Sequence, residues 1–164
     1  MNLSSVSRSI FPLIIEISWF ITGGVGDATT PFQELTPFGP ATVIDDFYGF
    51  TSPDHHGNVI DATELIDGAP DVTAIGGNLM GSMFWLKCTG RNIGHVYMHD
   101  HEGRFAWTDR MFFESFPNLH PDIKRYLEAR QQGKLPKKPK GYEHVYRLAR
   151  SFTEFIECLE RPEE

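Results

Sequence analysis

The stretch SMFWLKCTGRNIGHVYMH, residues 82–99, decides how this chain folds. Its first seven residues are mostly apolar or aromatic, which is typical of a strand. The next four, TGRN at 89–92, have the composition of a turn. The stretch ends in an alternating pattern, in which Val96 and Met98 lie on one face and His95, Tyr97 and His99 lie on the other. The pattern predicts two antiparallel strands joined by a turn.

Strand and helix patterns extend on both sides of this hairpin. A polar turn at 100–103 predicts that residues 104–108 pair back onto it as a meander. Near the end of the chain, Ser151 and Glu154 form a capping box, and Phe152 begins an apolar series at helical spacing. The other predicted elements are helices at 10–22 and 121–132, strands at 41–50, 72–75 and 145–149, a brief element at 59–65 and a loop at 23–40. This order predicts an α+β fold, an antiparallel mixed sheet flanked by N-terminal and C-terminal helices.

The length and composition fit one cytoplasmic globular domain. The 164 residues are the usual size of a single domain, long enough to bury a core without disulfides. Only Cys88 and Cys158 are present, which favours reduced thiols and a cytosolic location. The apolar run 11–21 is interrupted by Glu16 and is shorter than the ~20 residues of a membrane span, so we expect no membrane association.

Charge is distributed unevenly along the chain, whose net charge is −7. Residues 9–86 contain no Lys or Arg but hold 10 acidic residues. Such a negative surface attracts a basic partner and repels phosphates, so nucleic acid is not an expected ligand of this half. The alternative is that the acids cap turns and helices. The basic residues cluster later, and we interpret them as a solvated linker: Lys124, Arg125, Arg130, Lys134, Lys137, Lys138 and Lys140.

Motifs for nucleotide or acyl chemistry are missing from the sequence. It has no phosphate-binding loop followed by lysine, no dinucleotide fingerprint and no nucleophile elbow. The one histidine-rich cluster, at 95–102, places His99 and His101 two residues apart, a spacing that allows a shared metal ion. The glutamate that would complete a cupin-type ligand set is replaced by Phe105 and Ala106. We therefore expect polar turn residues, with no catalytic residues and no cofactor.

Four short motifs follow one another along the chain: FYGF at 47–50, IGGN at 75–78, VYMHDHE at 96–102 and ARSFTEFI at 149–156. Together they resemble the SUKH superfamily, which includes a regulator of fungal cell-wall synthesis and bacterial toxin-immunity proteins. Their order and spacing carry the resemblance, which spans roughly residues 20–160. The positions that match the family motifs are Gly76, Gly77, Asn78, Tyr97, Asp100, His101, Glu102, Phe152 and Phe155. Relative to the family, residues 113–141 look like an inserted helix and basic linker within a single domain at 1–164.

The resemblance implies a cytosolic immunity protein that binds a cognate bacterial toxin, such as a basic nuclease, and neutralises it by occlusion. Such a protein is not an enzyme, binds no cofactor, and is expected as a monomer or weak dimer. The acidic half suits a basic toxin, because complementary charge accelerates association. The acids expected to contact it are Asp45, Asp46, Asp54, Asp61 and Asp67. Two alternatives stay open: a regulatory or scaffold protein of the same fold, and a small metal-dependent enzyme using His99 and His101.

Overall fold

The described residues form a five-stranded antiparallel sheet and a separate two-stranded sheet. The structure, a computed structural model, describes residues 28–49, 59–66, 69–101 and 114–160. The strands are β1 (Ala28–Pro31), β2 (Ala41–Ile44), β3 (Asp46–Phe47), β4 (Val72–Gly77), β5 (Met83–Lys87), β6 (Val96–His99) and β7 (Val145–Ala149). The helices are α1 (Val59–Glu64), α2 (Pro121–Gln131) and α3 (Phe152–Glu157). This architecture confirms the predicted single α+β domain.

The central hairpin forms as the sequence predicts, with β5 and β6 paired antiparallel so that Trp85 lies opposite Tyr97. The strand order in the large sheet is β3-β4-β5-β6-β7. Strand β6 is therefore paired along its whole length on both sides, with β5 on one edge and β7 on the other. Both edges of β6 are thus taken by β5 and β7, whereas residues 104–108 are predicted to pair back onto this hairpin. Residues 104–108 themselves lie outside the described residues.

The loop predicted at 23–40 is wrong at residues 28–31, because Ala28–Pro31 forms β1 and pairs with β2. The connection between these strands places the rings of Phe32 and Phe38 against Tyr146, at centroid distances of 6.3 and 5.5 Å. The segment thus buries aromatic surface against the large sheet, which a solvated loop would not do.

The single strand predicted at 41–50 is divided at Asp45. Strand β2 lies in the small sheet, whereas β3 pairs with β4 in the large one. The Asp45 amide donates to the carbonyl of Gly77 at 3.1 Å, and its carboxylate accepts from the amide of Leu79 at 2.6 Å. These bonds bind the chain to the end of β4 at the point where it changes sheets.

The two faces of the large sheet differ in chemistry. The core face carries Phe84, Leu86, Val96 and Met98, each at most 3% exposed, and is covered by α2, α3 and β2. The other side, here called the aromatic face, carries a second buried cluster with partly buried side chains around it. Alternation along β5 and β6 produces this division, as the sequence predicts. The aromatic face is made of Met83, Trp85, Lys87, Tyr97, His99 and the adjoining Asp71 and Tyr142.

Both helices predicted in the second half are confirmed. Helix α2 has Pro121 in its first turn and buries Leu127. Helix α3 begins after Ser151, whose hydroxyl accepts from the amide of Glu154 at 3.0 Å. The Glu154 carboxylate accepts from the amide of Arg150 at 2.6 Å, one residue before the cap, so the capping box is shifted by one residue from its standard form.

The N-terminal helix predicted at 10–22 lies outside the described residues. Among the residues that are described, no helix is long and apolar enough to cross a membrane.

Candidate protein-binding surface

Three of the five acidic residues proposed as contacts are described by the structure, two of them at the β3 edge of the large sheet and one on α1. Asp46 lies in the edge strand β3, opposite Gly77, and its side chain is exposed. Asp45 is half-buried and holds the Leu79 amide, so it serves partly as the turn cap that the alternative interpretation requires. Asp61 is half-buried in the first turn of α1. Asp54 and Asp67 lie outside the described residues.

Two acids from the basic-free half are neutralised inside the fold. The carboxylate of Glu34 lies 3.4 Å from the ammonium of Lys138 and also accepts from the Arg147 amide at 2.6 Å. Asp71 forms an ion pair with the buried Lys87. The negative surface of the described residues is therefore smaller than the sequence count suggests, and its exposed acids in this half are Asp46 in β3 and Glu64 at the end of α1.

The basic linker is also less solvated than expected. Lys138 is half-buried, donates to the carbonyl of Val145 and lies 4.0 Å from the ring centroid of Tyr146. Burial lowers the pKa of the Lys138 ammonium, and the neighbouring Glu34 acts in the opposite direction. The lysine joins the linker to β7, which is why this part of the predicted solvated segment is wrong.

The motif glycines Gly76 and Gly77 lie in β4, and the close approach of the neighbouring chain explains them better than a turn does. A Cβ on Gly76 would lie 2.5 Å from the carbonyl oxygen of Asp46, and one on Gly77 would lie 2.5 Å from the hydroxyl of Tyr48. Such contacts are shorter than real side chains make, so glycine lets β3 and the residue after it lie directly against β4.

Asn78 organises the turn that follows β4. Its side-chain oxygen accepts from the amides of Met80 and Ser82 at 3.1 and 2.9 Å. Its backbone carbonyl accepts from Gly81, and its own amide donates to Ser82. We call residues 78–82 the β4–β5 turn. Gly81 adopts φ +80°, a conformation that side-chain-bearing residues rarely reach.

The VYMHDHE residues divide between the two faces and the turn. Tyr97 lies on the aromatic face, where burial raises the pKa of its hydroxyl. Asp100 is 2% exposed, and its amide donates to His144. The ring of His101 lies over Gly81, because a Cβ there would be 2.6 Å from the imidazole Cε1. Glu102 lies outside the described residues.

The histidines considered as metal ligands have different neighbours. His99 stacks on Trp85, with ring centroids 4.3 Å apart and planes 12° apart. His95 contacts the Tyr97 hydroxyl at 3.3 Å. Burial lowers the pKa of both imidazoles, which favours their neutral forms. Within the described ranges, no three His, Cys, Asp or Glu side chains are grouped as ligands for a metal ion.

An ion-paired network on the aromatic face was not predicted from sequence. The Lys87 ammonium donates to the Tyr142 hydroxyl at 2.9 Å, and that hydroxyl donates to Asp71 at 2.9 Å. Burial lowers the pKa of Lys87. Because the network joins residues distant in sequence, only the alternation that places Lys87 beside Trp85 gave any signal of it. It ties the segment before β7 to β4 and β5.

The closing motif packs as expected: Phe155 is fully buried, and Phe152 is 8% exposed. Their ring centroids lie 6.0 Å apart, and Phe155 reaches Phe47 at 6.1 Å. Helix α3 therefore contacts the residue directly after Asp46, and it helps to hold β3 in place.

Sequence reasoning also missed exposed apolar side chains beside the acids. Leu79 and Met80, in the β4–β5 turn, are 86% and 57% exposed. Ile60 on α1 and Leu65, directly after α1 and Glu64, are also exposed. The only signal was the position of apolar residues among turn formers. Comparison of the chain with family models, curated proteins and solved structures finds no match.

Proposed function

We propose that the chain is a cytosolic immunity protein that binds a basic toxin through the β3 side of its sheet and neutralises it by occlusion. The proposal continues the SUKH resemblance, with Gly76, Gly77, Phe152 and Phe155 among the matching positions. The observation that carries it is the exposure of Asp46 and Glu64 beside exposed apolar side chains, while Glu34 and Asp71 are paired internally.

Glu64 adds an argument from helix electrostatics. It is the last residue of α1, where backbone carbonyls carry partial negative charge, so a carboxylate there does not stabilise the helix. Neither Glu64 nor Asp46 has a basic partner within the described part of the chain. These two carboxylates can therefore form ion pairs with lysines and arginines of a partner.

Exposed apolar side chains rimmed by charge resemble the composition of protein interfaces, where apolar contacts supply affinity and charge supplies rate and orientation. Occlusion needs only such a surface and no reacting group. The proposed partner is a toxin domain with a positively charged face, and the proposed effect is to cover that face.

The test is an affinity pull-down from the native cell lysate at low and high salt, with mass spectrometry of the bound proteins. We expect one basic protein that is lost as salt increases, because screening weakens the attraction between exposed charges. The double variant Asp46→Lys/Glu64→Lys should lose this protein at low salt.

The matched control is Glu157→Lys, which reverses an exposed charge on the last residue of α3, outside both β3 and α1. It should retain the partner. Equal loss in the control and the double variant, or a partner whose binding does not respond to salt, would refute the proposed surface.

A further inference from the structure

The β4–β5 turn exposes two large apolar residues in succession. Leu79 is 86% exposed and Met80 is 57% exposed. Scattered exposed apolar residues are normal on a protein surface, but adjacent ones at the tip of a turn form a protruding apolar contact. A flexible turn would gain little from such a pair, so its rigidity decides what the pair can do.

The turn is held rigidly by its own hydrogen bonds. Every backbone amide from residue 79 to residue 82 has an acceptor: Asp45 for the first, the Asn78 side chain for the second and fourth, and the Asn78 carbonyl for the third. The His101 ring lies directly over Gly81, where a Cβ would be 2.6 Å from the imidazole Cε1. The two apolar side chains therefore lie on a preorganised backbone, so little further conformational entropy is lost when they bind.

The charges around the turn indicate what kind of surface it meets. Asp45 lies against the Leu79 amide at 2.6 Å, and Asp46, next in the chain, is exposed on the adjoining strand. An apolar tip beside carboxylates complements an apolar pocket with Lys or Arg side chains at its rim. A partner whose pocket has acidic or uncharged rims would gain nothing from Asp46.

We propose that Leu79 and Met80 form an apolar anchor that inserts into a pocket of the basic protein partner, with Asp46 contacting lysines or arginines at the rim of that pocket. This inference rests on the proposed function and names the contacts within it. Buried apolar anchors at the centre of an interface dominate dissociation rates, whereas rim charges mainly control association.

The experiment places a photo-crosslinking phenylalanine analogue at position 79 of the full chain in its native cells. The matched control carries the analogue at Ile93, which is 55% exposed in the connection between β5 and β6. We expect position 79, but not position 93, to cross-link to one basic protein. The cross-link should disappear when Met80→Asp is added. No adduct at 79, equal adducts at both positions, or an adduct between two copies of this chain would overturn the anchor.

Kinetics on the captured partner separate the anchor from the charged surface. The double variant Leu79→Ser/Met80→Ser should raise koff at least about tenfold and leave the salt dependence of kon unchanged. Asp46→Lys should lower kon and weaken its salt dependence. If Asp46→Lys acts as expected while the double variant leaves koff unchanged, the proposed function stands and the anchor is refuted. If wild type shows neither a salt-sensitive basic partner nor an adduct at 79, both are refuted.

Discussion

Truncation of Phe155 provides the sharpest test of how α3 supports the sheet. The side chain is 0% exposed and lies between the rings of Phe47 and Phe152, at centroid distances of 6.1 and 6.0 Å. Phe→Ala at a fully buried position typically costs about 3–5 kcal/mol, through lost transfer free energy plus a cavity. Two aromatic contacts are lost as well, which places the expected free-energy change in the upper part of that range.

The assay is equilibrium unfolding in urea, followed by circular dichroism. We expect Phe155→Ala to lower the unfolding midpoint with an unchanged slope, because the surface exposed on unfolding stays similar. In a thermal scan, about 3–5 kcal/mol corresponds to a decrease in Tm of about 6–20 °C for a chain of this size.

The matched control is Phe116→Ala, since Phe116 is 48% exposed. Full burial of a phenylalanine is worth about 1.5–3 kcal/mol, so a side chain left half in water should lose about 1 kcal/mol. Equal destabilisation by the two substitutions, or a loss below about 1.5 kcal/mol for Phe155→Ala, would show that α3 does not pack on the sheet as described.

Three further outcomes are expected. Gly76→Ala should cost about 1–3 kcal/mol in urea unfolding, because its Cβ would meet a backbone carbonyl of β3, whereas Gly49→Ala, which has nothing within 4 Å, should be neutral. Ser151→Ala should cost about 0.5–2 kcal/mol by removing the α3 cap, and an effect as small as that of the exposed control Thr153→Ala would contradict it. Burial lowers the pKa of His99 in the folded state, so the unfolded chain binds more protons as pH drops below the usual value of 6.5, and the free energy of unfolding should fall there. His99→Gln should flatten this pH dependence in a series of urea unfolding curves. An unchanged pH dependence would refute the assignment to His99.

The elements that sequence predicts correctly are those whose signals are local. Helix α2 has a proline in its first turn and α3 has Ser151 at its cap, and both helices begin where these residues indicate. The β5–β6 hairpin follows from alternation around Val96 and Met98. In each case a few neighbouring residues contain the whole cause, so no distant contact was needed to place the element.

The sequence-based predictions fail where a distant pairing partner determines the secondary structure of a segment. Residues 28–31 become a strand because β2 lies opposite them, and the second edge of β6 is paired with β7, which comes from much later in the chain. The division of the strand at Asp45 depends on the Leu79 amide, which the turn chemistry of Asn78 brings into reach. None of these long-range pairings has a signature within its own segment.

Charge shows the same limit at the candidate site. Counting acids along the first half predicts a broad negative surface, but folding pairs Glu34 with Lys138 and Asp71 with Lys87. What decides whether a carboxylate can serve a partner is its pairing in the fold, and Asp46 and Glu64 differ from Glu34 and Asp71 in that respect. Sequence gives the total charge, whereas only the contacts tell which part of it faces outward.

Hydrophobic patterning does not predict that Leu79 and Met80 are exposed. Hydrophobic patterning assigns such residues to the core, since burial of each is favourable. Here Asn78 accepts the backbone hydrogen bonds of the segment, from Met80 with its side chain and from Gly81 with its carbonyl. The resulting turn directs the side chains of residues 79 and 80 away from the sheet. An apolar pair enclosed by an asparagine and a glycine with φ +80° cannot follow the alternation of β4 and β5, so its exposure is a consequence of the turn's geometry. Because Leu79 and Met80 are 86% and 57% exposed, their apolar side chains contribute little to the packing of the described fold, and a binding role accounts for their chemistry more directly than stability does.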